Sequence, residues 1–218
     1  MLLKILLLDD HPSVTSSYKN GIDGLNLSFP YKTAFCHTLE ECYSRIFIEK
    51  KIPDFIIIDL SMPAYLKEKI NDGFDLAQLI RDNFSKTKII ISTMHTSPLY
   101  IYSIIEKIKP EGFFIKSDLD FDEISKALQI VISGDFYYTK IVKDILTNMK
   151  KHFFCEDELN RNIMILTSKR YTNKEIGQFL KISESTIEKR KSVLKQHLGI
   201  DGSNDRKMTE VLTNLSLL

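Results

Sequence analysis

The sequence predicts a doubly wound α/β domain built on five parallel strands, followed by a small all-helical domain. Three observations carry that expectation. Up to about residue 133, short apolar runs alternate with longer amphipathic segments, the pattern of a parallel sheet covered on both faces. After Gly134 no further convincing strand occurs and only helical periodicity remains. The length, 218 residues, suits two small domains.

The strand candidates are Leu3–Leu8 and residues 55–58, 89–91 and 113–115, each β-branched or Leu/Phe-rich and bounded by polar residues, with 31–35 as a weaker fifth. Between them, helices are expected over 13–21, 39–49, 74–83, 98–108 and 121–133. Thr38 and Glu41 are spaced as a capping box for the second, and Ile124, Leu128 and Val131 form the stripe of the last. A linker helix is expected at 141–150, then helices at 159–167, 173–180, 184–198 and 205–215. The expected division is 1–135, a linker region 136–155, and 156–218.

Hydrophobic residues make up 43% and charged residues 27%, ordinary for a globular chain, and the net charge of +1 does not by itself point to a partner. Cys36, Cys42 and Cys155 lack metal-ligand spacing and read as thiols of a reducing compartment. The apolar opening runs directly into Asp9-Asp10-His11-Pro12 without a cleavage site, so a buried strand is expected rather than a signal peptide. No apolar stretch approaches the roughly 20 residues that span a bilayer, so a cytoplasmic protein without membrane contact is expected.

Functional groups of an open α/β sheet gather at the carboxyl ends of its strands. Asp9 and Asp10 follow the first strand, Asp59 the third, Thr93 the fourth and Lys116 the fifth. Crowded carboxylates repel unless a cation sits among them, and Mg²⁺ accepts such oxygen ligands. One carboxylate can then attack phosphorus and become an acyl phosphate, while Lys116 pairs with the phosphoryl oxygens and the Thr93 hydroxyl bonds one of them. A lone Asp after a strand is ordinarily a cap; the conjunction of all five groups is what points to phosphoryl chemistry.

Residues 1–135 resemble a response-regulator receiver (flavodoxin-like) through Leu7-Leu8-Asp9-Asp10-His11-Pro12, Ile58-Asp59-Leu60-Ser61-Met62-Pro63, Ile91-Ser92-Thr93-Met94-His95 and Gly112-Phe113-Phe114-Ile115-Lys116-Ser117. The resemblance implies Asp59 as phosphoacceptor. It implies Mg²⁺ on Asp10, Asp59 and the Ser61 carbonyl, with Asp9 acting largely through water. Thr93 and Phe113 become the switch residues and Lys116 the phosphoryl-binding lysine. The loop 64–72 before Gly73 is longer than the family's.

In the C-terminal part, Thr172 or Asn173 opens one helix, and Ile182-Ser183-Glu184-Ser185-Thr186-Ile187 turns tightly into a second. Residues 161–197 hold nine Lys/Arg against three Asp/Glu, a concentration suited to a major groove. This region resembles the LuxR/NarL-type helix-turn-helix through Tyr171-Thr172-Asn173-Lys174-Glu175-Ile176, Ile182–Arg190 and His197-Leu198-Gly199-Ile200. Asn160 and Asn162 stand where acidic residues are common, and Glu188 and Arg190 where Lys and His are common. Candidate DNA contacts are Ser185, Thr186, Glu188, Lys189, Arg190 and Lys191, with Lys174 and Lys195 on phosphates. The reading is a two-component regulator that takes phosphate from a histidine kinase and dimerises on double-stranded DNA. The rivals are a phosphate-independent regulator and an aspartyl-phosphate phosphatase; against the latter, Asp59 follows the third strand and position 61 is Ser.

Overall fold

The computed structural model describes residues 2–25, 27–118, 121–200 and 205–218. The chain divides into two compact units: Met1–His95 with Ile104–Val142, and Thr96–Ser103 with Lys143–Leu218.

Elements follow in the order β1 (Leu3–Leu8), α1 (Pro12–Gly24), β2 (Tyr31–Cys36), α2 (Leu39–Tyr43), β3 (Phe55–Asp59), α3 (Gly73–Asn83), β4 (Lys88–Thr93), α4 (Pro98–Ile108), β5 (Gly112–Ile115), α5 (Phe121–Ile132) and β6 (Tyr137–Tyr138). Pro12 sits at the start of α1, where its missing N–H costs nothing. The Thr38 hydroxyl caps α2 by accepting from the Glu41 N–H, but the Glu41 carboxylate reaches back to the His37 N–H at 2.7 Å rather than to Thr38. The expected helix 39–49 changes pitch at Tyr43 and ends as a π-turn, Ser44–Ile48.

All strands run parallel in the order β2-β1-β3-β4-β5-β6. The sheet therefore has six strands, not five. β6 pairs Tyr137 with Gly112 and Tyr138 with Phe113, and the Tyr137 N–H donates to the Glu111 carbonyl at 2.9 Å. Two residues are too few to show a period-2 pattern, so nothing in the sequence marks them as a strand. On one face, Ile5, Leu7, Ile57, Ile90 and Phe114 pack with Tyr18 and Ile22 of α1 and Leu128 and Val131 of α5. The opposite set, including Leu8, Ile58, Ile91 and Phe113, is equally buried. Because every strand points the same way, Leu8, Asp59, Thr93 and Ile115 end at one rim.

The remaining helices are α6 (Lys140–Met149), α7 (Glu158–Ser168), α8 (Asn173–Leu180), α9 (Glu184–His197) and α10 (Asp205–Asn214). Asp157, Thr172 and Ser183 cap α7, α8 and α9, and Thr172 with Glu175 forms a full reciprocal box. Ile163, Met164, Ile176, Ile187, Leu194, Met208 and Leu212 supply a buried core. Gly177 lets the α8–α9 corner close: a Cβ there would stand 2.8 Å from the Ile182 carbonyl oxygen. No described helix is long and apolar enough to cross a membrane.

Candidate functional site

The parallel register brings Asp9 and Asp59 to adjacent strand ends, both almost wholly buried, and Lys116 reaches them from the residue after β5. The Lys116 Nζ donates to Asp9 Oδ2 at 2.7 Å and to Asp59 Oδ2 at 2.8 Å. Burial works against the ammonium, yet the Asp59 and Asp9 carboxylates outweigh it and hold its pKa above the usual lysine value. The other Asp59 oxygen, Oδ1, accepts from the Ser61 N–H at 3.0 Å. Gly73, at the start of α3, lies against the Asp59 carbonyl so closely that no Cβ would fit.

Asp10 is half exposed and its carboxylate meets His11 Nδ1 at 2.6 Å. Asp9, Asp10 and His11 each present a ligand atom within 4.8 Å of one another. Thr93 is buried and its Oγ1 accepts from the His95 N–H at 3.0 Å. Phe113 is fully buried. Asp9, Asp59, Thr93 and Lys116 thus stand at one rim, with Asp9 and Asp59 bridged directly by Lys116, whereas Phe113 lies two residues before the end of β5.

Three neighbours were not foreseen. His11 follows the acidic pair, and His95 Nε2 lies 3.3 Å from Ser61 Oγ. The Tyr18 hydroxyl of α1 bonds Ser92 Oγ at 2.5 Å, and Ser92 pairs with Asp59 across the sheet. Burial pushes the Tyr18 pKa up to about 12, with the Ser92 bond pulling it part of the way back. A tyrosine on the buried face of an amphipathic helix, whose hydroxyl needs a partner, was the available signal.

The long 64–72 segment is folded. Tyr65 and Ile70 form an antiparallel bridge around a 3₁₀ turn, Leu66–Glu68. The Tyr65 ring rests 5.9 Å from that of Tyr43, and the Tyr43 hydroxyl donates to Glu68 at 3.2 Å.

In the helical unit the structure redistributes the expected DNA contacts. Lys191 and Lys195, expected at base edges and phosphates, are both buried. Lys191 Nζ donates to Asn173 Oδ1 and Asp205 Oδ2, each at 2.7 Å, and Lys195 Nζ donates to Asp205 Oδ1 at 2.6 Å. Arg190 is also taken up within the fold, donating to Asp157 at 2.8 Å and Asn160 at 3.0 Å. Thr186 shares a 2.8 Å bond with the Ser183 cap. Ser185, Glu188 and Lys189 on α9, and Lys174 on α8, are exposed. Ser192, Val193 and Gln196 continue the exposed strip of α9.

Residues 5–129 match the response regulator receiver domain. The chain shares 27% identity over 210 residues with the oxygen regulatory protein NreC of Staphylococcus aureus, covering 91% of this chain and 92% of that protein. It shares 26% over 201 residues with the transcriptional regulatory protein MctR of Rhizobium johnstonii, covering 91% and 88%. A similar solved structure is RcsB from Salmonella enterica serovar Typhimurium bound to the promoter rprA with phosphomimetic BeF3−, at TM-score 0.63 and 21% identity, covering 98% of this chain and 99% of that one. With the receiver match spanning more than half the chain, and a buried aspartate pair bridged by a lysine at the rim of a parallel sheet, this protein belongs to the response regulators.

Proposed function

We propose that this chain is a cytoplasmic DNA-binding response regulator of a two-component system, with Asp59 as the phosphoacceptor. The observation that carries the reading is the Lys116 ammonium held between Asp9 and Asp59. An Asp59 oxygen attacks the phosphorus of a phosphohistidine or small acyl phosphate, the bond from phosphorus to the donor breaks, and an acyl phosphate forms. Lys116 then pairs with a phosphoryl oxygen. Thr93 exchanges its bond to the His95 N–H for another, and Phe113 responds as the switch aromatic. The carboxylates of Asp9, Asp10 and Asp59 are a hard oxygen set of high negative charge that fits Mg²⁺, and the Ser61 carbonyl would join them as a ligand. When bound, Mg²⁺ supplies charge neutralisation for the incoming phosphoryl group.

The helical unit supplies the output. Lys189 and Glu188, exposed on α9, would meet base edges, with Ser185 alongside, and the exposed Lys174 would meet a phosphate. A relative named as a transcriptional regulatory protein and the DNA-bound RcsB structures support this half of the reading. Phosphorylation would favour a homodimer on paired half-sites.

The test is labelling by a radioactive phosphodonor together with DNA binding at fixed salt. Wild type is expected to take label, and Asp59→Asn to take none while keeping its thermal unfolding. Phosphorylation is expected to raise both dimer content and affinity for genomic fragments. Labelling that persists in D59N, or phosphorylation that moves neither quantity, overturns the reading.

A further inference from the structure

At the opposite end of the sheet from Asp59, the first residues of β1 and β2, the π-turn and the segment before β3 enclose a cavity of about 340 Å³. That is the scale of a small-ligand pocket. Its rim carries five cations, Lys4, Lys32, Arg45, Lys50 and Lys51, and no carboxylate lines it. Its floor is apolar, formed by Leu6, Ala34 and Pro53 among others. Lys4 and Leu6 stand on the same face as their register partners Lys32 and Ala34, so rim and floor alternate along one surface.

Lysines on an edge strand ordinarily block strand addition. That accounts for Lys32 alone, because β2 is the edge and Lys4 lies on the next strand in. Lys50 and Lys51 come from a different element. The Glu49 N–H closes the wide ring onto the Ser44 carbonyl at 2.9 Å, and the Lys51 N–H donates to the Arg45 carbonyl at 3.0 Å. This folds the two lysines back beside Arg45, and single π-turns of this kind recur at functional sites. Lys51 pairs with Glu49 at 2.7 Å, whereas the ammonium groups of Lys4, Lys32 and Lys50 make no ion pair among the described residues. Asp54, the nearest acid in sequence to the floor, spends one oxygen on the Lys4 backbone N–H at 2.8 Å. Like charges gathered around an apolar floor repel one another, and a polyanion relieves that repulsion.

We infer that this cavity binds a small phosphate-bearing ligand with an apolar or aromatic body, of the nucleotide class, with phosphates on the lysine rim and the body on the Leu6–Ala34–Pro53 floor. A monocarboxylate would neutralise only one of the three unpaired ammonium groups, whereas a diphosphate engages several at once.

The experiment is calorimetric titration of the full chain with ADP, and separately with inorganic pyrophosphate. Both are run in chelator, so that no divalent ion supports phosphate binding at Asp59. The expected result is one ADP per chain, a Kd that weakens as salt rises, and pyrophosphate weaker by about tenfold for want of a body on the floor. Lys32→Glu and Lys50→Glu are each expected to weaken ADP by about tenfold. Both variants should keep wild-type thermal unfolding and Asp59 labelling, which separates loss of the pocket from loss of the fold. Absence of ADP binding at about 1 mM overturns the inference. So does binding that K32E and K50E leave unchanged, or pyrophosphate binding as tightly as ADP.

Discussion

Asp205 is a single carboxylate that answers two buried ammonium groups, Lys191 and Lys195. Burial pushes its pKa up, and the two lysines overcome that and hold it below the usual aspartate value. A carboxylate with a depressed folded pKa stabilises above its unfolded pKa and loses that contribution as pH falls through the folded one. Asp205→Asn should therefore cost stability at neutral pH and flatten the acid decline of the C-terminal unit's melting temperature below about pH 4. A cost of about 2 kcal/mol is expected, under the roughly 3–5 of a fully buried pair, because the Asp205 side chain is 42% exposed. An unchanged acid limb would show that the triad carries no charge linkage. The two family departures Asn160 and Arg190 prove to be partners in one contact, with Asp157 as the third member. Arg190→Ala should lower stability by about 1 kcal/mol and is read by thermal melting. With Arg161, Arg190, Lys191 and Lys195 committed to the fold, the proposed base reading rests on the exposed strip of α9. Glu188→Ala should relax preference at one base pair by about 1–3 kcal/mol, whereas Lys174→Ala should weaken all sequences alike and shallow the salt dependence. A binding titration over a panel of single-base variants checks both. The acidic rim was legible because it is written in residue type at strand ends. The fate of the lysines was not, since a lysine that faces solvent and one that bridges to a distant Asp look identical until the fold brings α10 beside α9.

At the level of elements, two glycines fix how segments meet. Gly177 sits inside α8, where Ala would gain about 1 kcal/mol of helix propensity. Against that gain, the new Cβ would stand 2.8 Å from the Ile182 backbone oxygen, which no rotamer change can move. Overpacking of this kind costs about 1–3 kcal/mol, so Gly177→Ala should lose about 1 kcal/mol net; a raised melting temperature would mean that the corner yields. Gly73 does the same for α3 against the Asp59 carbonyl, which explains why the long segment before it ends where it does. That segment is held by the Tyr43–Tyr65 contact and the buried Ile70, so its length adds a small folded layer between β3 and α3. Helix ends were harder to read from sequence than helix cores. Lys50, Lys69, Lys109, Arg170 and Lys181 adopt the left-handed conformation usually given to glycine, so the customary stop signal is missing, although a cation there suits the helix dipole.

For the molecule as a whole, the sequence carried the order of strands and helices almost completely, because hydrophobic period is a property of each segment alone. It could not carry β6, whose existence depends on β5 offering an unpaired edge to two tyrosines. That edge has a practical consequence. A fragment cut at residue 135, where the periodic pattern stops, would lack Tyr137, Tyr138 and the Thr139 N–H that donates to the Phe113 carbonyl at 3.1 Å. It would expose the backbone of the very strand that leads into Lys116. Such a fragment should self-associate by strand addition in a concentration-dependent way, whereas one ending at residue 142 or later should not; sedimentation of the two would tell them apart. The two tyrosines thus act as a selvedge, keeping the woven end of the sheet from unravelling onto a neighbour.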